Sequence, residues 1–321
     1  MTARPDRIAY AMTPLTYFWG DKMVSGVTAG RCRDYASWRT MQPVTSFKNP
    51  STALRVCLQT ARRELVVLSA ALNYAFREGK LKYPVPVSLP AKGAARTRWL
   101  TRSEAARLLW AAWRGEGRHV ARFILIGLYT GTRHDAILRL RWLPSVDAGW
   151  VDLEHGLVYR RGAGESQSSK RRPPVPISPR LAAHLRRWES NWSGARLVER
   201  LVDKASESAP IADLKVAGSK PATPANLHVI SWGGLPIAKM RRAWHTARKA
   251  AELGPEVTPH ILRHTFASWA VQAGHSFAKV AAALGTTEKM IEATYGHFNS
   301  DRLRDVVASV SKTGVLQVLQ L

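Results

Sequence analysis

The sequence predicts a mainly α fold with a small antiparallel β-sheet, divided into an N-terminal helical domain and a larger C-terminal domain. Three observations carry that prediction. Apolar residues recur at helical spacing at Leu58, Ala61, Leu65, Leu68 and Leu72, and again at Ile237, Met240, Trp244, Ala247 and Ala251. Residues 150–177 instead break into three short runs bounded by turn residues. Between the two helical regions, Pro84, Pro86 and Pro90 interrupt regular structure across Lys82–Arg98, as an interdomain linker would.

A chain of 321 residues is long enough to bury two cores. Its 48 Lys and Arg against 23 Asp and Glu give a formal charge of +25, which points to a polyanionic partner, foremost a nucleic acid. With 45% hydrophobic residues and twelve Trp, the chain is folded rather than a basic tail. Cys32 and Cys57 are its only cysteines and no ligand-spaced Cys/His cluster appears, so neither a zinc site nor any other metal is expected. Both read as reduced thiols of a cytoplasmic protein. No apolar run approaches the ~18 residues of a membrane span, and no signal-peptide pattern opens the sequence.

Taken in order, residues 1–50 show scattered aromatics and one short helical stretch, Thr28–Arg39. Ser51 or Thr52 caps the helix that carries Leu58 to Leu72, with Arg55, Arg62 and Arg63 on its other faces. The helical domain spans 1–82 and the linker 83–98, where Lys92, Arg96 and Arg98 suit a phosphate backbone. Thr101-Arg-Ser-Glu104 is a capping box opening the domain 99–321. Helices follow at Val120–Tyr129 and Asp135–Trp142, with Gly131 between them. Val151–Leu153, Leu157–Tyr159 and Val175–Ile177 are the three strands, and the turn between the last two holds Lys170-Arg171-Arg172. Residues 192–226 form a loop insertion with at most one short helix near 195–204. The stripe from Ile237 to Ala251 leaves Arg241 and Arg242, with Lys239, Arg248 and Lys249, on its open side. A solvated face is the other reading for each of these cations.

The stretch Thr258-Pro259-His260-Ile261-Leu262-Arg263-His264-Thr265 opens a helix, with Thr258 as cap and Pro259 at the first helical position. His260 and Arg263 share one face, while Leu262, Phe266, Trp269 and Ala273 form an apolar stripe. Tyr295-Gly296-His297 follows about thirty residues on. An arginine grips two phosphate oxygens, a histidine moves a proton and a phenol attacks phosphorus, so the set suits chemistry on a phosphodiester.

Here the sequence resembles the tyrosine recombinases, the phage integrase family. His260-Ile-Leu-Arg263-His264 is similar to that family's HxxRH box, Tyr129-Thr130-Gly131-Thr132-Arg133 to its TGxR box, and the order and separations match. Thr60–Ala75 resembles the family's core-binding domain, and the likeness runs from about Thr52 to His297. The resemblance implies a metal- and cofactor-independent site-specific DNA recombinase working through a 3′-phosphotyrosyl intermediate. It implies that Arg133 and Arg263 hold the phosphate, that His260 assists proton movement, that Lys170 protonates the leaving 5′ oxygen and that Tyr295 is the nucleophile. Double-stranded DNA carrying attachment sites would be the substrate, and a tetramer in the synapse the working assembly, for a phage or genomic island. Family members carry more helix before Ser51, so the N-terminus reads as short. Thr286 stands nine before Tyr295, where many members have histidine or tryptophan, and is an accessory candidate with His297. Ala136 stands where a glutamate is common. A type IB topoisomerase shares the chemistry, and the rival from another class is a catalytically decayed integrase that only binds DNA.

Overall fold

The computed structural model describes residues 5–44, 51–93, 98–115, 117–166, 171–192, 227–233 and 235–296, without the side chains of 44 and 51–54. The chain divides into two units, Met1–Ala95 and Arg96–Leu321.

In the first unit, α1 (Pro5–Trp19), α2 (Ala29–Met41) and α3 (Leu58–Arg77) bury Leu15, Trp19, Cys32, Tyr35, Ala61, Leu65 and Leu72 together. The scattered aromatics of the N-terminus thereby find a purpose. Phe18, Trp19, Tyr35 and Trp38 pack at ring-centroid distances of 4.7–5.7 Å. Inside this core the Tyr35 hydroxyl donates to Glu64 Oε2 at 2.7 Å, and Arg39 grips the same carboxylate through Nε and Nη2 at 3.0–3.1 Å. A buried charge is tolerated because both ends are paired and hydrogen-bonded.

The cap expected at Ser51 or Thr52 is corrected. Ser51–Arg55 is a strand, β2, antiparallel to β1 (Pro43–Val44), and α3 begins at Leu58. Ser51 pairs with Val44 and Arg55 with Pro43, so the segment runs extended where a helix start was expected. Leu81 packs on the helical core, as do Val85, Val87 and Leu89 from the stretch read as a linker. The Gln59 side chain donates to the Ala91 carbonyl at 3.2 Å, and Arg62 donates to that of Pro90.

The second unit opens with α4 (Arg102–Arg114). Its capping box forms as the sequence predicts, with Glu104 N–H donating to Thr101 Oγ1 and Thr101 N–H to Glu104 Oε2. Next come α5 (Arg118–Thr130) and the five-residue α6 (His134–Leu138). The latter is shorter than expected because Arg141 and Trp142 give their N–H groups to Gly149 and Leu227 carbonyls instead of a helix. Strands β3 (Trp150–Asp152), β4 (Leu157–Tyr159) and β5 (Val175–Pro176) pair antiparallel in sequence order, matching Val151 with Val158 and Val158 with Val175. In β3 and β4 the central valine is buried while the flanking residues are half-exposed, the period of two that marks a strand.

Helix α7 (Pro179–Ser190) was not anticipated, although Ser178 caps it and Leu181, Leu185 and Trp188 form its buried stripe. The insertion read at 192–226 lies outside the described residues from 193 on. After a two-residue hairpin of β6 (Ser231–Trp232) and β7 (Leu235–Pro236), α8 (Arg241–Ala250) packs Trp244 and Ala247 into the core.

Helix α9 (Ile261–Gln272) lies between two apolar clusters. Ile261 and Leu262 join the main core, while Ala267 and Val271 pack with α10 (Phe277–Leu284) and α11 (Glu288–Tyr295). It is thus buried on more than one face, not amphipathic as the stripe through Phe266 and Trp269 suggested. Its first residue is Ile261, not Pro259. The turn before it is tight, Ile261 N–H reaching the Thr258 carbonyl, and the Thr258 side chain makes no cap hydrogen bond.

Candidate active site

The site is assembled around the end of α5. Gly131 closes that helix at φ +59°, a left-handed backbone that glycine adopts without a Cβ penalty. A Cβ there would lie 2.5 Å from Leu284 and 2.7 Å from Phe266, so α9 and α10 can reach the turn only because residue 131 has no side chain. Two residues on, Arg133 sits at the N-cap of α6, half-buried, and donates through Nη1 to the Arg171 carbonyl at 3.2 Å.

Arg263, in the first turn of α9, is only 8% exposed. Nη1 donates to the Gly131 carbonyl at 2.9 Å and Nη2 to the Leu284 carbonyl at 2.8 Å. The guanidinium therefore ties the α5 end to the α10 end. Burial, with Arg133 beside it, pushes it down to about 10.

A third guanidinium, Arg160 at the end of β4, escaped the sequence reading. It is 3% exposed, donates through Nε to the Pro173 carbonyl at 2.8 Å and through Nη2 to that of Ala283. Burial and the charges of Arg263 and Arg133 hold it down at about 9. Arg133 is lowered too, by burial and then by Arg172. Among the described residues, no carboxylate pairs with Arg133, Arg160 or Arg263. The three cations lean on backbone carbonyls and keep their full charge for something else.

The approach of the β4–β5 turn is fixed at Gly285, whose φ is +64° and whose missing Cβ would lie 2.3 Å from the Arg171 carbonyl oxygen. The turn's earlier half is held by Glu165, which pairs with Arg139 and Arg172 at 2.8 Å each. Burial alone would raise that carboxyl, but the Arg139 hydrogen bond and the Arg172 charge bring it below its ordinary value. Lys170, the residue before Arg171, lies outside the described residues.

Tyr295 is the last residue of α11 and is 7% exposed. Its hydroxyl is 2.7 Å from His264 Nδ1, and that ring meets His260 edge-to-face at 5.0 Å. Two opposed effects act on the Tyr295 phenol. Arg263 does lower it, but burial outweighs that pull and raises the group to about 12. His260 is pushed down to about 4, by the protein packed around it and then by His264, Arg263, His134 and Arg133. It is a neutral imidazole at physiological pH.

Arg133, His260, Arg263 and Tyr295 are thus drawn together from positions up to 162 residues apart. Thr286, just past the end of α10, is half-buried with its N–H on the Ala281 carbonyl. His297 and Arg96 lie outside the described residues. Arg55, Arg63, Lys92, Arg171, Arg241 and Arg242 are exposed, and Arg62 is half-buried. Arg98 and Arg172 are engaged by carboxylates, Arg98 by Glu104 with Glu256 at 3.8 Å. Residues that could hold a metal ion are not grouped anywhere among the described residues, and no described helix is long and apolar enough to cross a membrane. His264 was legible as part of its box, but its position against the tyrosine was not.

No family model matches the chain. Tyrosine recombinase XerC of Pseudomonas aeruginosa is 27% identical over 259 residues, covering 77% of this chain and 72% of its own length. Tyrosine recombinase XerA of Thermococcus kodakarensis is 29% identical over 253 residues, covering 76% and 74%. Among solved structures, the Tn1549 transposon integrase in complex with transposon right end DNA superposes with a TM-score of 0.64 at 16% identity, over 97% of this chain and 95% of that one. A lambda integrase dimer bound to a core site gives 0.60 at 15%, over 94% and 90%. These structures share the fold, and the relatives named above share sequence across three quarters of the chain. In sequence the chain is similar to tyrosine recombinases, and in fold it is similar to integrases of the Tn1549 transposon and of lambda.

Proposed function

We propose that the protein is a site-specific DNA recombinase that cuts and rejoins double-stranded DNA through a covalent 3′-phosphotyrosyl intermediate. The observation that carries this reading is the placement of the Tyr295 hydroxyl within the field of Arg263, itself acted on by Arg133 and acting on Arg160, with no carboxylate pairing these arginines among the described residues. A phosphodiester supplies the missing negative charge. Charge developing on its nonbridging oxygens is met by guanidiniums already fixed in place, which avoids reorganisation during reaction. Tyr295 attacks phosphorus, its Oη–P bond forms, the P–O5′ bond breaks, and Lys170 gives the 5′ oxygen a proton. The phosphotyrosine keeps the bond energy, so the reverse attack by a 5′ hydroxyl rejoins a strand. Four such chains on paired attachment sites of a phage or genomic island would exchange strands, with DNA-facing cations at Arg55, Arg63, Lys92, Arg241 and Arg242.

The test uses a pool of nicked duplexes with randomised sequence, from which protein–DNA adducts are recovered under denaturing conditions. The unmutated protein yields an enriched sequence and a covalent band. Tyr295→Phe binds the same duplex within about twofold and yields no band. An unmutated protein that binds but never forms an adduct would leave a DNA-binding relic.

A further inference from the structure

We infer that His264 is the base that takes the phenolic proton from Tyr295 as it attacks, an inference resting on the function proposed above. The two side chains come from α9 and α11, 31 residues apart, and meet at 2.7 Å between Tyr295 Oη and His264 Nδ1. Tyr295 is buried, and its hydroxyl is harder to ionise than a free phenol. A buried phenol that must become a nucleophile needs an acceptor for its proton within hydrogen-bond reach. His264 Nδ1 is that acceptor, the ring then carrying its own proton on Nε2.

The charges acting at the pair and its immediate neighbour are positive: Arg263 acts on Tyr295, and Arg263 and Arg133 act on His260, whose ring meets that of His264 at 5.0 Å. A proton that reaches His264 from Tyr295 is balanced by the negative charge the phosphate brings. The step balances: Tyr295 Oη bonds to phosphorus, the P–O5′ bond breaks, and the phenolic proton moves to Nδ1. On rejoining, the 5′ hydroxyl gives its proton back to Lys170 as it attacks, the P–Oη bond breaks and Nδ1–H returns its proton to the phenolate.

The experiment has two arms. In the first, single-turnover cleavage of the duplex enriched by the unmutated protein is followed across pH. The unmutated rate climbs as an imidazole loses its proton and then levels. His264→Asn, which keeps an accepting oxygen near Nδ1 but no basicity, is slowed about 10²-fold or more at neutral pH with DNA affinity unchanged. Its rate keeps rising at alkaline pH, where hydroxide takes the proton. A His264→Asn variant that cleaves at the unmutated rate, or faster, overturns the assignment. The second arm needs no DNA, and so stands apart from the recombinase reading. In ¹⁵N-histidine-labelled protein, His264 Nδ1 resonates as an unprotonated acceptor and moves when Tyr295→Phe removes its donor. A protonated Nδ1, or no movement, overturns the assignment even where the asparagine variant fails to fold.

Discussion

Arg160 shows what one residue can do that its neighbours cannot. Arg161 beside it bonds the Glu165 carbonyl, within its own loop, whereas Arg160 crosses 123 residues of sequence to reach Ala283. Removing it strands the Pro173 and Ala283 carbonyls in a buried site, at about 1–3 kcal/mol. Arg160→Ala should therefore lower the denaturant midpoint by that order and slow DNA cleavage as well. Arg160→Lys recovers one bond and part of the loss. Nothing in Leu157-Val-Tyr159-Arg160-Arg161 distinguishes the two arginines, because the burial is created by the distant α10 end. His260 was legible in its box, and its neutrality follows from the company it keeps. Since the folded state depresses its pKa, the neutral form stabilises the fold, fully so above the ordinary value of 6.5, and this contribution is lost as pH falls toward about 4. Denaturation across that window should show a decline that His260→Asn flattens, with His119 and His228, also lowered by burial, supplying the remainder.

At the scale of elements, local chemistry was readable where it was self-contained. The α4 capping box needs only Thr101 and Glu104, and both partners sit within one turn. Thr101→Ala should cost about 1 kcal/mol in denaturant unfolding. Glu104 adds an acid-side signature. Its hydrogen bond to Arg98 holds the carboxyl down at about 2, so its stabilisation is present above the ordinary value of 4.5 and fades only below it. Glu104→Gln should remove that fading in a window separate from that of His260. The misreadings have the opposite origin. Ser51 and Thr52 look like caps, but they belong to a strand that pairs with β1, outside the segment. Helix α9 looks amphipathic until α10 and α11 cover its second side. The three-strand meander was legible because apolar runs are bounded by turn residues, even though the connection from Tyr159 to Val175 is long. Helix α7 carried the same signals, Ser-Pro and a leucine stripe, unread beside the insertion.

For the molecule as a whole, the charge of +25 sets the expected behaviour. Engagement of 6–10 phosphates would make affinity for duplex DNA fall by about 10³–10⁵ between 50 and 200 mM salt. A filter-binding or anisotropy titration checks the slope, and an affinity flat across that range would contradict it. Arg98 and Arg172 should contribute less to this slope than Lys92 or Arg241, since Glu104 and Glu165 already hold them. Charge count was legible from composition; which cations are spent internally was not, since that depends on carboxylates from elsewhere in the unit.

The partners of the three inner arginines have one further consequence. Gly131, Leu284, Arg171, Pro173 and Ala283 all contribute a main-chain oxygen, an atom that every amino acid possesses. Substitution at Leu284, Arg171 or Ala283 changes a side chain and leaves the anchor standing. Genetic drift can therefore rewrite much of the lining of this cleft without dislodging its guanidiniums, with the glycines at 131 and 285 as the exceptions. A lineage built in this way can diverge far in sequence while inheriting the same grip on an anion.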